Sequence, residues 1–161
     1  MAEPSTSLKS NEAVLINSCL GVDLSSEELA QVAALMAEQK FKKGARILKE
    51  GSNARDIYII KEGQVSVMLD FTVLQNFEER IARLNEHEIF GEFAFVSGEP
   101  RTATIQAESR VTLILLRYDD LNTLFANNPV IAYKIIRNIA VIVVKRINEQ
   151  HRMVRKLLFC N

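Results

Sequence analysis

FKKGARILKEGSNARDIYIIKEGQVSVMLDF occupies residues 41–71, and its grammar decides the fold. Three glycines, Gly44, Gly51 and Gly63, punctuate short runs in which apolar and polar residues alternate: ARILKE, DIYIIKE and QVSVMLDF. Alternation sends successive side chains to opposite faces, the period of a half-buried strand. Glycine reaches positive φ without steric cost, so it falls where a chain must reverse. Beyond a longer polar stretch at 72–79, read as a loop or extended hairpin, the same grammar resumes in ERIARL (79–84), TATIQAE (102–108) and VTLILL (111–116). The last run is wholly apolar and is expected to be buried on both faces. Strands roughly ten residues apart with turns between them indicate an antiparallel sandwich or small barrel.

Outward from this region the period changes to that of a helix. On the N-terminal side, DLSSEELAQVAALMAEQ from Asp23 opens with Ser25 or Ser26 as a cap and places Glu27 and Glu28 in the positive first turn. Leu29, Val32, Ala33 and Met36 then give one apolar face. Residues 1–12 are small and polar and read as a loose tail. On the C-terminal side, Tyr118-Asp119-Asp120 opens a short helix through Phe125, and Asn128-Pro129 is a cap followed by proline at the first helical position. The helix starting there can run to Phe159, some 30 residues or about 45 Å.

Composition narrows the function classes. The chain has 161 residues, expected to form one domain plus an appendage. Lysine plus arginine and aspartate plus glutamate number 20 each, so net charge selects no partner. Cys19 and Cys160 form neither a CxxC pair nor a disulfide framework. The start lacks the basic and apolar regions of a secretory signal. The longest aliphatic run, Ile139–Val144, is far short of the roughly 20 residues of a membrane span, so a cytoplasmic setting is expected and no membrane span. His87 and His151 lack further ligands at metal spacing, so no metal is expected. No Ser-His-Asp or Cys-His set appears either, and the chain reads as a non-enzyme.

The chemistry concentrates in FGEFAFVSGEPRTATIQ, residues 90–106. Gly91 permits a tight turn. If Glu92 to Phe95 then form one helical turn, its first amides lack internal partners and make an anion cradle. Arg101, expected to begin the next strand and fixed by Pro100 before it, can bind a phosphate bidentately. Glu92 only accepts hydrogen bonds, which suits a sugar hydroxyl. The plainer alternative is a Glu92–Arg101 ion pair between adjacent strands.

This arrangement resembles the phosphate-binding cassette of cyclic nucleotide-binding domains, found in bacterial catabolite activator proteins, regulatory subunits of cyclic-nucleotide-dependent kinases and cyclic-nucleotide-gated channels. The resemblance covers roughly residues 25 to 155. It implies a mainly β fold, an eight-stranded antiparallel jelly-roll barrel with an N-terminal helix and a long C-terminal helix. The organisation expected is a tail (1–12), the barrel with flanking helices (13–127) and a lid or dimerisation helix (128–161). The implied ligand is cAMP or cGMP. Glu92 and Gly91 would hold the ribose 2′-hydroxyl, and Arg101 the cyclic phosphate. Backbone amides near Phe93 and Ala94, Thr102 and the adjoining Ala103 would complete the shell. In some relatives a threonine at the Thr102 position contacts a guanine edge, so both bases stay open. Arg146, Ile147 and Glu149 are candidate lid residues over the base. One departure is His87, where the family often has glycine; histidine tolerates positive φ better than most residues.

The long helix carries Ala140, Val144, Ile147, His151, Val154 and Leu158 at coiled-coil spacing, with a second apolar line at Ile136, Ile139 and Val143. A helix apolar on two sides needs two partners: its own barrel and the same helix of a second copy. Seven cations between Lys134 and Lys156 face one acid, Glu149, a solvated face or a surface for an acidic partner. DNA readers of this family carry a helix-turn-helix after this helix, and none follows before Asn161, so no DNA-binding module is expected. Two functions compete: a stand-alone sensor signalling to an unknown effector chain, and a dimeric scaffold that binds no nucleotide.

Overall fold

The computed structural model describes residues 6–70 and 78–159. Eight strands form two four-stranded antiparallel sheets. The first has the order β1 (Ala37–Phe41), β8 (Val111–Leu116), β3 (Ile57–Glu62), β6 (Ile89–Phe90). The second has the order β2 (Arg46–Leu48), β7 (Thr104–Ala107), β4 (Val65–Asp70), β5 (Glu78–Leu84). The expected closed barrel is corrected: among the described residues no strand pairing joins the two sheets. At one edge of each sheet the strand is short, two residues in β6 and three in β2, and β2 slips register between Arg46 and Leu48.

Alternation along the first sheet explains its two-sided burial. Tyr58, Ile60, Leu113 and Leu115 pack between the sheets with Leu48, Val65, Leu84 and Ile105. Their neighbours Ile57, Ile59, Ile114 and Leu116 turn the other way, onto the helices. All six residues of VTLILL are buried, as their composition implies.

Among the described residues five α-helices surround this frame: α1 (Thr6–Asn17), α2 (Ser26–Ala33), α3 (Glu92–Ser97), α4 (Tyr118–Asn127) and α5 (Pro129–Phe159). Ser25 caps α2 in a full capping box with Glu28. The loose tail is corrected over residues 6–12, which belong to α1. Asn11 donates its side-chain amide to Ala33 O and Met36 O, and Leu15 is fully buried against the core. These tertiary contacts outweigh a polar composition that favours no helix by itself. The helical pattern drawn through AEQ is also corrected, since those residues open β1, paired with β8 from Ala37↔Leu115 to Phe41↔Val111. The loop expected at 72–79 lies outside the described residues up to position 77; β5 begins at Glu78.

The helix α5 runs 31 residues. Its first half is fastened to the body. Ile131, Ile135 and Ile139 are buried, Lys134 pairs with Glu28 and Arg137 with Asp23 at 2.6 Å each, and Asn138 donates to Leu20 O and Val22 O. The body-facing line therefore corrects the expected one: Ile136 is exposed, and Ile131 and Ile135 replace it beside Ile139. From Ile147 onward every side chain described is exposed, and the seam of Val144, Ile147, Val154 and Leu158 faces outward.

Candidate functional site

The site is built on a sharp corner between β6 and α3. Gly91 adopts φ 89°, and a Cβ there would lie 2.5 Å from Asp56 O and 2.7 Å from Arg101 Nη1. Both its left-handed backbone and its lack of a side chain are needed. His87, in the turn before β6, also has positive φ, at 69°, so the turn expected there survives without glycine. The helix α3 begins at Glu92, and its first amides, those of Glu92, Phe93 and Ala94, have no acceptor within the helix. Gly98 ends it in the left-handed region.

Arg101 was expected to begin the next strand; this is corrected, since it lies three residues before β7. Its backbone is fixed nonetheless: its N–H donates to Ser52 O and its carbonyl accepts from Gly51 N, each at 2.8 Å. Its residue exposure is 4%. The guanidinium donates from Nη1 to Gly91 O at 2.8 Å and from Nη2 to Asp56 O at 2.7 Å, while Nε has no partner. Among the described residues no carboxylate forms an ion pair with it. Burial lowers its pKa from the ordinary value, with Tyr58, Asp56 and Glu92 pulling the other way. A cation this enclosed is costly unless an anion accompanies it.

Glu92, only 1% exposed, does not pair with Arg101, which removes the plainer reading of the motif. Its partner is Arg146 of α5, which also donates from Nη2 to Ile89 O at 2.6 Å. Of the candidate lid residues, Arg146 therefore reaches the site. Ile147 and Glu149 are exposed and make no hydrogen bond or ion pair with it. Ala94 is buried, Ala103 is half-buried, and Phe93 and Thr102 are exposed. Cys19, from the 3-10 turn under α5, lies within the field of Arg146 and Glu92. Burial pushes its thiol up to about 11, so it stays protonated at neutral pH. Cys160 lies outside the described residues.

Two residues that the sequence does not single out complete the surroundings. Arg55 donates from Nε to Ala94 O at 3.3 Å and from Nη2 to Phe95 O at 3.1 Å. Asp56 supplies the carbonyl that holds Arg101. Their only sequence signal is a charged pair directly before a buried strand. Among the described residues no group of three or more histidine, cysteine, aspartate or glutamate side chains is placed to hold a metal. No helix described is long and apolar enough to cross a membrane.

Comparison with known proteins supplies the remaining observations. The family model described as "Cyclic nucleotide-binding domain" matches residues 38–128. A cAMP-dependent protein kinase type II regulatory subunit of Drosophila melanogaster is 34% identical over 88 residues, 55% of this chain and 22% of its own. A cyclic nucleotide-gated potassium channel of Rhizobium etli is 30% identical over 109 residues, 68% of this chain and 28% of its own. The chain thus spans about a quarter of the length of these curated relatives. Among solved structures, a cyclic nucleotide-binding domain from Methylobacillus flagellatus superposes with a TM-score of 0.81 at 24% identity, covering 92% of this chain and 83% of that one.

Proposed function

The chain belongs to the cyclic nucleotide-binding domain family, and from that premise we propose that it is a regulatory module that binds cAMP or cGMP and signals to a partner chain through its C-terminal helices. The observation that carries this reading is Arg101, a guanidinium buried without a carboxylate and with Nε unpaired. The unpaired Nε–H is a charged donor that a phosphodiester oxygen would satisfy. The free amides of Glu92, Phe93 and Ala94 add donors, and Gly91 lets the backbone approach closely. Thr102 and Ala103 follow Arg101 at the rim. Glu92 accepts a ribose hydroxyl while sharing its carboxylate with Arg146, and this links the site to α5. The strand order supports reading the two sheets as the jelly roll of that family.

The finer assignments complete the proposal. The module acts in the cytoplasm, its activity is binding and not catalysis, and a second copy covers the outward seam of α5 at Val144, Ile147, Val154 and Leu158. Titration calorimetry with cAMP and with cGMP tests the core of it. Micromolar binding of either, weakened strongly in Arg101→Ala, supports the reading; no heat with either nucleotide refutes it.

A second reading has one observation in its favour. Glu92 is already satisfied by Arg146, as it would be in a dimeric scaffold that takes no nucleotide. That reading expects no thermal shift at millimolar nucleotide, where a micromolar ligand adds about 4 kcal/mol.

A further inference from the structure

We propose that Arg55 and Asp56 act as a coupling bracket that carries the state of the phosphate site to the start of α4; the proposal deepens, and rests on, the nucleotide-binding reading. Two adjacent residues at the entry to β3 touch three separate parts of the site and its exit. Asp56 faces both ways. Its carbonyl accepts from Arg101 Nη2 at 2.7 Å, and its Oδ1 accepts from the backbone N–H of Tyr118 at 2.9 Å. Arg117, the residue in the capping position of α4, makes no side-chain cap. The helix therefore takes a carboxylate cap from a residue 62 positions away.

Arg55 makes the parallel connection. It holds Ala94 O and Phe95 O of α3, and its guanidinium lies 3.9 Å from the ring centroid of Tyr118, the first residue of α4. Phe95 meets the same ring edge-on at 5.4 Å and Phe125 at 6.2 Å. One side of the bracket thus holds α3 and Arg101, the two suppliers of anion donors, and the other side holds the N-terminus of α4.

The support beneath the bracket does not yield. Strand β3 lies between β8 and β6 in the doubly covered sheet, and Ile57 and Ile59 are fully buried. A shift of Arg101 or α3 around an anion must be taken up at the contacts of Arg55 and Asp56, because β3 cannot follow. Those contacts end on Tyr118. Arg55 bonds the carbonyls of Ala94 and Phe95 in the middle of α3, not the amides proposed to meet the nucleotide.

The test uses the full chain and two readouts: cAMP and cGMP affinity by calorimetry, and hydrogen exchange of the α4 amides with and without nucleotide. Arg55→Met is expected to bind within about threefold of wild type yet lose most of the nucleotide-induced change in exchange at 118–127. Arg55→Lys, which keeps a cation over the ring, is expected to recover a good part of it. A purely structural role for Arg55 would speed α4 exchange without nucleotide and leave the nucleotide-induced difference intact, and that result overturns the proposal. So does a loss of affinity of about a hundredfold in Arg55→Met, which would make it part of the binding set.

A nucleotide-free cycle separates failure of the bracket from failure of the binding reading. Arg101→Ala is expected to speed exchange at the start of α4 several-fold in the wild-type background and to add little once Asp56→Ala has removed the cap. Equal effects in both backgrounds overturn the bracket whether or not nucleotide binds. If the cycle shows coupling while wild type binds neither nucleotide, the binding reading fails and the Asp56 arm of the bracket stands.

Discussion

Replacing Arg101 by methionine separates a site residue from a structural one, because its effects on folding and on binding should differ sharply. In the chain without nucleotide, the change removes a buried cation that no carboxylate accompanies. Relief of that burial is worth several kcal/mol, and apolar replacements of buried ions are often neutral or stabilising by about 1–4 kcal/mol. Against this, Gly91 O and Asp56 O lose their donors, at about 1–3 kcal/mol each where they stay unpaired. The terms nearly offset, so the unfolding free energy should move by less than about 2 kcal/mol. For a chain of 161 residues that is a change in Tm of no more than about 8 °C. Binding has no such compensation. A buried phosphodiester that loses its charge partner costs about 2–5 kcal/mol, a fall in affinity of about 30- to 5,000-fold. Thermal unfolding with and without millimolar cAMP or cGMP reads both quantities together. Wild type should gain about 4 kcal/mol from a micromolar ligand, and the variant much less. A variant that loses more than about 4 kcal/mol of intrinsic stability, or keeps wild-type affinity, would refute the assignment of Arg101 as the anion's partner.

Other outcomes follow from the same geometry. Gly91→Ala places a Cβ 2.5 Å from a backbone oxygen at φ 89°, so it should cost about 3 kcal/mol or more in denaturant unfolding and abolish nucleotide binding. Ser25→Ala removes one half of the capping box of α2 and should cost about 1 kcal/mol without changing nucleotide affinity by calorimetry. The hydrogen bond from Lys134, followed by the Ser25 amide, lowers the Glu28 pKa from its ordinary 4.5. A depressed carboxylate stabilises above that value and loses its contribution as pH falls through the lower folded one. Urea midpoints should therefore drop below about pH 4.5, with a shallower drop in Lys134→Met. Val144→Glu, on the outward seam, should convert the proposed dimer to monomer in sedimentation equilibrium without changing nucleotide affinity.

The strands and long helices were legible because each advertises its period over several residues. VTLILL reads as a doubly buried strand and is one, and α5 announces its start with Asn128-Pro129. What escaped was decided by distant pairing. Ala37, Glu38 and Gln39 suit a helix by local preference, yet five register pairs with β8 draw them into a sheet. The same holds for the start of α1, where residues 6–12 are mostly polar but Asn11 is held by carbonyls more than twenty positions away. That the two sheets stay unjoined was not legible, since it depends on whether their edge strands pair, and alternation says nothing of that.

The site divides along the same line, and the division bears on how it works. Gly91, Glu92 and Arg101 lie within eleven residues, so their spacing alone suggested an acid and a cation around one turn. Spacing could not say which cation belongs to which anion. The near partner in sequence, Arg101, leaves Glu92 alone and takes two carbonyls; the distant Arg146 takes the carboxylate. Had the near pair formed, both charges would be neutralised and the site would have little to offer a phosphodiester. With Glu92 committed to α5, Arg101 keeps Nε unpaired, and the acid that would grip the sugar is also the anchor of the helix half that otherwise stands exposed beyond Ile147. A ligand that draws on Glu92 must therefore alter the hold on Arg146. In the proposed function, recognition of the sugar and placement of the projecting helix would be one equilibrium, with a shift limited to the difference in free energy that the ligand has for the two arrangements.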